Sequence, residues 1–168
     1  PNVTAVSASR AVPGDFLPNA GTFIENAQGE MMMYNPTIYE IDQTFIQNYN
    51  IEMAAGRPFS IDFPSDSISS LIVNEAAAKL WGYEDPKEMI GKPFDQWGKK
   101  GTVVGVVKDF NYQSLHREVE PLTLRFEHYS LRKFSIRVKP QEIRKTLADL
   151  EKTWKELVPH RPFVYTFL

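Results

Sequence analysis

The stretch Thr102–Leu122, TVVGVVKDFNYQSLHREVEPL, constrains the fold more than any other part of the chain. Val103, Val104, Val106 and Val107 form a nearly unbroken β-branched run relieved only by Gly105. Bounded by turn residues, such a run predicts a strand buried on both faces, although a short apolar run is ambiguous on periodicity alone. Lys108-Asp109-Phe110-Asn111 follows as a turn, and a short amphipathic piece runs to Pro121. That proline biases Glu120 away from helix. Asp109, Ser114 and His116 lie within this stretch and invite a catalytic reading, which the rest of the chain has to decide.

A chain of 168 residues fits one domain, or one domain with a modest insertion. At 42% hydrophobic it can build a real core, and a net charge of −2 with no basic run argues against nucleic acid as the main partner. The absence of cysteine excludes disulfides, thiolate zinc sites and cysteine nucleophiles. No apolar run reaches the roughly 18–20 residues that cross a bilayer. The chain opens at Pro1, with no initiator Met and no signal peptide, and enters strand-like VTAVSAS at once; this predicts a piece excised from something longer.

Taken in order, Val3, Ala5 and Ala8 alternate with Thr4, Ser7 and Ser9 as a half-buried or edge strand. Arg10–Gly21 is a Pro/Gly-punctuated loop. TFIEN and EMMMYNPTIYEI predict two strands about the turn Ala27-Gln28-Gly29, with Met31 and Met33 near one face, where gap-filling in a core is the commoner use of methionine. Asp42 predicts an N-cap for a helix over Gln43–Asn50, closed by Asn50. Ile61–Ser70 is loop-like and marks a subdomain junction. Leu71-Ile72-Val73 is a short buried strand; Asn74 caps the helix that follows, Glu75 sits at its positive end and Gly82 stops it. Asp85-Pro86 starts a single turn that Gly91 ends. Strands are expected at Leu122–Phe126, Phe134–Val138 and Phe163–Leu168. Between the last two runs a helix over Pro140–Leu157, with an apolar stripe of Ile143, Leu147, Leu150, Trp154 and Leu157. The end of the chain is thus expected to be a βαβ or split-βαβ unit.

No motif demands an enzyme. Ser114 lacks the Gly-x-Ser-x-Gly setting of an exposed nucleophile, and closeness in sequence does not make a triad. Turn capping and surface polarity explain Asp109, Ser114 and His116 more simply. His116, His128 and His160 have no second ligand at i+3 or i+4, leaving only a metal site built from distant carboxylates. Gly91-Lys92 and Gly98-Lys99 lack the glycine spacing of a phosphate loop. Trp81, Trp97 and Trp154 are expected as core anchors, and the charges of the last helix as a solvated face.

Four motifs in order carry a resemblance: Val73-Asn74-Glu75-Ala76-Ala77-Ala78, Ile90-Gly91-Lys92-Pro93-Phe94, the run from Val104 to His116, and Glu120-Pro121-Leu122. Together they resemble the MacB-like periplasmic core domain of FtsX/MacB-type ABC transporter permeases; the flanks, Asn2–Ser9 with the Val12-Pro13-Gly14 turn and the C-terminal unit, are also similar. The signature positions are Asn74, Glu75, Gly91, Gly105, Lys108, Asp109, Phe110, Ser114, Leu115, His116 and Pro121, all implied to be structural.

The resemblance implies an α+β fold. A porter-like βαβ/split-βαβ subdomain (1–62 and 126–168) would carry an inserted smaller mixed α/β, sabre-like subdomain (63–125). The family ordinarily has a further helix and strand ahead of Asn2–Ser9, implying that the porter-like half is N-terminally truncated here. It also implies a non-catalytic domain with no cofactor of its own, ATP being bound by a separate cytoplasmic ATPase. The setting would be the periplasmic side of a Gram-negative inner membrane. Implied partners are the protein's own transmembrane helices, the cognate ABC ATPase, a second permease copy, and a periplasmic adaptor or lipoprotein. The function implied is mechanotransmission, with the C-terminal unit leading into the second membrane helix. Two other readings stay open: a ligand-sensing extracytoplasmic domain, whose pocket would be sought at Met31–Tyr34, and a small hydrolase using Asp109 and His116.

Overall fold

The computed structural model describes residues 2–113 and 118–168. Among the described residues, fifteen stretches of regular structure follow one another. The first strands are β1 (Val3–Ser9), β2 (Thr22–Glu25), β3 (Met31–Tyr34) and β4 (Thr37–Ile41). Next come α1 (Phe45–Asn48), β5 (Met53–Gly56), α2 (Asp66–Ser69), β6 (Ser70–Asn74) and α3 (Glu75–Leu80). A 3-10 turn (Pro86–Met89) precedes β7 (Pro93–Gln96) and β8 (Lys99–Val107), and β9 (Leu122–Phe126), β10 (Lys133–Val138) and α4 (Ile143–Leu157) complete the order. This is a mixed α/β fold built on a large irregular sheet.

The chain divides into two compact units, Ser7–Ser135 and Pro1–Val6 with Ile136–Leu168. In the larger unit the strand order is β1-β4-β9-β6-β8-β7-β2-β3, with β5 also paired to β8. Two pairings, β4 with β9 and β6 with β8, are parallel; β6 with β9 is antiparallel. Parallel strands are usually covered on both faces, and accordingly all five residues of β4 and of β6 are buried. Leu71 and Val73 face one core with Ala77, Trp81 and Phe94, while Ile72 faces the other with Tyr39, Phe45 and Phe126.

The valine run is the second half of β8, and the expected burial holds at Val103, Val106 and Val107. The alternation is interrupted because β8 carries an irregularity opposite Leu71 and Ile72: Leu71 pairs with Val103 and Ile72 with Gly105, leaving Val104 over. An extra residue of this kind turns the following side chains to the other face, so Val103 and Val107 enter different cores.

Several expectations are corrected. Ser7 and Ser9, not Val3, are the buried residues of β1, because Ser7 Oγ accepts from the Asn48 amide at 2.7 Å and Ser9 Oγ donates to the Ala11 carbonyl. The run EMMMYNPTIYEI is broken at Asn35-Pro36 into β3 and β4, and Met31, Met32 and Met33 are exposed rather than core. The first helix is shorter than Gln43–Asn50, although Asn50 does close it with a left-handed φ of 52°. The loop-like Ile61–Ser70 contains α2. Trp97-Gly98 is a two-residue hairpin turn between β7 and β8, both residues having positive φ as a primed turn requires.

In the smaller unit the Lys139 N–H donates to the Asn2 carbonyl and Asn2 Nδ2 to Thr146 Oγ1. Glu142 adopts a left-handed φ of 55°, so the last helix begins at Ile143 rather than Pro140. Ile143, Leu147, Leu150 and Trp154 form its half-buried stripe, whereas Leu157 is exposed. Phe163–Leu168 is not a strand among the described residues. Its rings instead follow one another in tilted and edge-on contacts, Trp154–Phe163, Phe163–Tyr165 and Tyr165–Phe167 at 6.4, 5.6 and 5.7 Å. The βαβ expectation therefore reduces to strand and helix. A strand needs a neighbour for its N–H and C=O groups, and apolar alternation alone does not supply one.

Candidate functional site

Three of the sequence motifs meet at one side chain. Asn74 ends β6 in extended geometry (φ −95°, ψ 171°) and caps α3. It is fully buried, and all four of its hydrogen-bonding capacities are filled. Its Oδ1 accepts from the Ala77 N–H at 3.0 Å and the Leu122 N–H at 2.8 Å. Its Nδ2 donates to Asp109 Oδ1 at 2.9 Å and to the Glu120 carbonyl at 3.0 Å. Asp109 Oδ1 also accepts from the Ala76 N–H at 2.9 Å, and the Asp109 N–H donates to Glu75 Oε2 at 3.2 Å. The amide thus joins the head of α3, the turn after β8 and the start of β9.

The neighbouring signature residues complete the joint. Pro121 offers its carbonyl to the Thr37 N–H, which begins the β4–β9 pairing. Phe110 lies against Tyr112, whose hydroxyl donates to the Glu120 carbonyl at 3.1 Å and whose burial pushes its pKa up. Lys108 and Glu52 form an exposed ion pair; their hydrogen bond raises the lysine and lowers the carboxyl from their ordinary values. Gly105 sits where a Cβ would lie 2.5 Å from the Arg57 carbonyl oxygen and 2.7 Å from Met53 Cε, so β5 can approach β8 only over a glycine. Gly91 has a φ of 85° and donates its N–H to the Val103 carbonyl. Ser114, Leu115 and His116 lie outside the described residues.

Among the described residues, what this arrangement does chemically is fix backbone. Oδ1 of Asp109 is engaged by an amide and a helix N–H. Among the described residues no group of three His, Cys, Asp or Glu side chains could hold a metal ion. His128 packs against the Phe126 ring at 4.8 Å. A surface hollow of about 400 Å³ runs along one face of α4 and is lined by Ala148, Glu151 and Lys155, the last two paired at 2.7 Å. Met31–Tyr34, where the ligand-sensing reading places a pocket, is a strand with its three methionines exposed and Tyr34 half-buried against the core.

A second polar cluster had no local signature. Asp66, fully buried, accepts two bonds from Arg57 at 2.7 and 2.8 Å, one from the Ser60 N–H and one from Ser70 Oγ. Burial acts to raise its pKa, but these donors outweigh it and hold the carboxyl below its ordinary value. Arg57 also lies 3.9 Å from the Phe63 ring centre. Lys99, one residue past the hairpin turn, is buried, and its Nζ donates to the Asp66 and Phe126 carbonyls at 3.4 and 3.3 Å. Desolvation brings its pKa down to about 8. Arg57 and Asp66 are nine positions apart across two prolines, and no spacing rule pairs them; the Gly98-Lys99 dipeptide carried no hint that the lysine points inward.

No family model and no curated protein matches the sequence. Solved structures do match the fold. The periplasmic region of MacB from Actinobacillus actinomycetemcomitans superposes with a TM-score of 0.64 at 13% identity, over 93% of this chain and 68% of that one. A domain assigned to a permease protein from Porphyromonas gingivalis gives 0.63 at 13% identity, over 99% of this chain and 81% of that one. The extracellular domain of the noncanonic ABC-type transporter YknZ from Gram-positive bacteria gives 0.63 at 13% identity, over 95% and 79%. The chain therefore shares the fold of these three domains.

Proposed function

We propose that this chain is a non-catalytic extracytoplasmic domain of an ABC transporter permease. In this reading, cytoplasmic ATP hydrolysis on another domain or polypeptide moves it mechanically so that it acts on a periplasmic substrate, lipoprotein or partner. The observation that carries the reading is the likeness of nearly the whole chain to three such domains, including one from a Gram-positive transporter. A second support is the Asn74 joint, which gives the residues of the resemblance a structural use. The domain needs no cofactor of its own. Its partners are its own membrane helices, the ATPase and a second permease copy, with a periplasmic adaptor or lipoprotein as the object of the work. The division into a porter-like part (1–62 and 126–168) and a sabre-like part (63–125) belongs to the same proposal.

The transmitting element is α4, whose half-buried stripe supplies its stiffness. In the full transporter, Leu150→Asp is expected to leave ATP turnover measurable while transport falls. Unchanged transport by a folded Leu150→Asp protein would refute the transmission role. A parent reading frame lacking one membrane helix before this chain and three after it would refute the transporter assignment itself.

A further inference from the structure

The outer edge of the sheet at β3 has an unusual composition. In the larger unit β3 pairs on one side with β2, and among the described residues no strand pairs with its other side. Edge strands are normally guarded by lysine, proline, a bulge or an inward charge. The strand itself, Met-Met-Met-Tyr, contains none of these.

The register fixes which backbone groups are free. The hairpin closes through Asn26 and Glu30: the Asn26 N–H donates to the Glu30 carbonyl, and Gly29, with φ of 80°, donates to the Asn26 carbonyl. Counting outward by the antiparallel rule, Ile24–Met32 and Thr22–Tyr34 exchange hydrogen bonds, whereas Met31 and Met33, opposite Glu25 and Phe23, point N–H and C=O away from β2. Asn35 would be the next outward residue, but its carbonyl already accepts from Asn19 Nδ2 at 2.8 Å. The free edge is therefore Met31 and Met33. The side chains around it are apolar and exposed: Phe23 47%, Met31 49%, Met32 45% and Met33 64%.

We propose that this edge pairs with the same edge of a second copy of the chain. The argument is self-complementarity. One antiparallel register uses both outward residues of each copy, with Met31 opposite Met33 of the second chain, Met33 opposite its Met31, and the two-fold axis between the Met32 residues. It forms four backbone hydrogen bonds. It sets Glu30, the acidic residue that ends the strand, opposite Tyr34 of the second copy, so no like charges meet. On one face Phe23 and Met33 of one copy meet Met31 of the other, and on the opposite face the Met32 side chains meet each other. The surface matches itself in both hydrogen bonding and polarity, as an isologous interface must.

The chain has no cysteine, which allows a direct test. At the axis the Met32 residues form a non-hydrogen-bonded pair with Cα atoms about 4.5 Å apart, within disulfide range. Met32→Cys under mild oxidation should cross-link to a covalent dimer at least about tenfold faster than Phe16→Cys, although position 16 is the more exposed, 90% against 45%. Met31→Cys and Met33→Cys face each other's position rather than their own, and should each cross-link more slowly than Met32→Cys. In sedimentation of the unmodified chain, weight-average mass should rise with concentration. Met33→Pro, which removes an outward N–H and leaves the β2 ladder intact, should abolish that rise, with circular dichroism confirming that it folds. Equal rates at Met32 and Phe16, or a monomer at all concentrations to about 1 mM, would overturn the pairing. Neither outcome depends on the transport reading.

Discussion

Asn74 and Asp109, thirty-five positions apart, are joined by a 2.9 Å hydrogen bond from the buried amide to the carboxylate. Both belong to motifs that in sequence look separate, a helix start and a turn after a strand. In the fold they are two sides of one joint.

Replacing Asn74 by Ala removes a helix cap, leaves the Leu122 N–H without its partner and leaves the Glu120 carbonyl with the Tyr112 hydroxyl alone. A lost cap costs about 1 kcal/mol and an orphaned buried N–H about 1–3, so the expected loss is roughly 2–4 kcal/mol. Urea unfolding followed by tryptophan fluorescence measures it. Asp109→Asn, which keeps an acceptor in place, should cost under about half as much.

Gly105→Ala places a methyl 2.5 Å from the Arg57 carbonyl oxygen, a backbone atom that cannot turn aside. Overpacking of this kind costs about 1–3 kcal/mol or more. Gly21→Ala, where a Cβ meets nothing within 4 Å, is the matched control and should lie within about 0.5 kcal/mol of the parent. Equal thermal midpoints for the two variants would contradict the close approach of β5 and β8.

Arg57→Ala strands the Asp66 carboxylate in the interior with only the Ser60 N–H and Ser70 hydroxyl. Breaking a buried pair on one side costs about 3–5 kcal/mol. In the parent chain, the Asp66 carboxyl is held below its ordinary value of 3.8, so its contribution is present above pH 3.8 and is lost as pH falls through the lower folded value. In Arg57→Ala the strongest downward influence is gone while burial still pushes the carboxyl up, so the acid-side loss contributed by Asp66 should shrink or reverse, as urea midpoints measured between about pH 3 and 6 would show.

Lys99 predicts a rise in stability with pH on the alkaline side as well. Burial lowers its pKa from 10.5 to about 8, so between those values the unfolded chain holds a proton that the folded chain has released. Stability should therefore rise with pH from about 8, by up to about 3 kcal/mol for an isolated group. Tyr39, Tyr83 and Tyr112, all raised by burial, reverse the trend above about pH 10, where they ionise only in the unfolded chain. Lys99→Met should be more stable at pH 7 and should lose the rise, as urea midpoints between pH 7 and 10 would report.

The sequence made the local grammar legible. The Asn74 cap, the Asp85-Pro86 turn, the Gly82 stop and the valine strand are decided by neighbours within a few positions, and all four are present. Partnership between distant segments was not legible. FVYTFL has strand alternation without a strand to pair with, and Ser7 is buried because Asn48 reaches it from another element. The methionines illustrate the same limit: composition does not say whether a strand lies inside a sheet or on its rim. At the candidate joint the residue types were visible, but that one amide gathers Ala77, Asp109, Glu120 and Leu122 depends on β6, β8 and β9 lying side by side.

The parallel pairing of β4 with β9 bears on the order in which the chain is made. Thr37 lies opposite Leu122 and Ile41 opposite Phe126, so an entirely buried strand near the beginning has its partner far along the polypeptide. During synthesis at about 5–20 residues per second, β4 would wait several seconds for that partner with its apolar side chains uncovered. Closing so long a loop also slows folding, because its entropy is lost before any contact compensates. The early strands of this chain are thus a nascent-chain hazard, relieved only when the segment carrying Pro121 and Leu122 emerges.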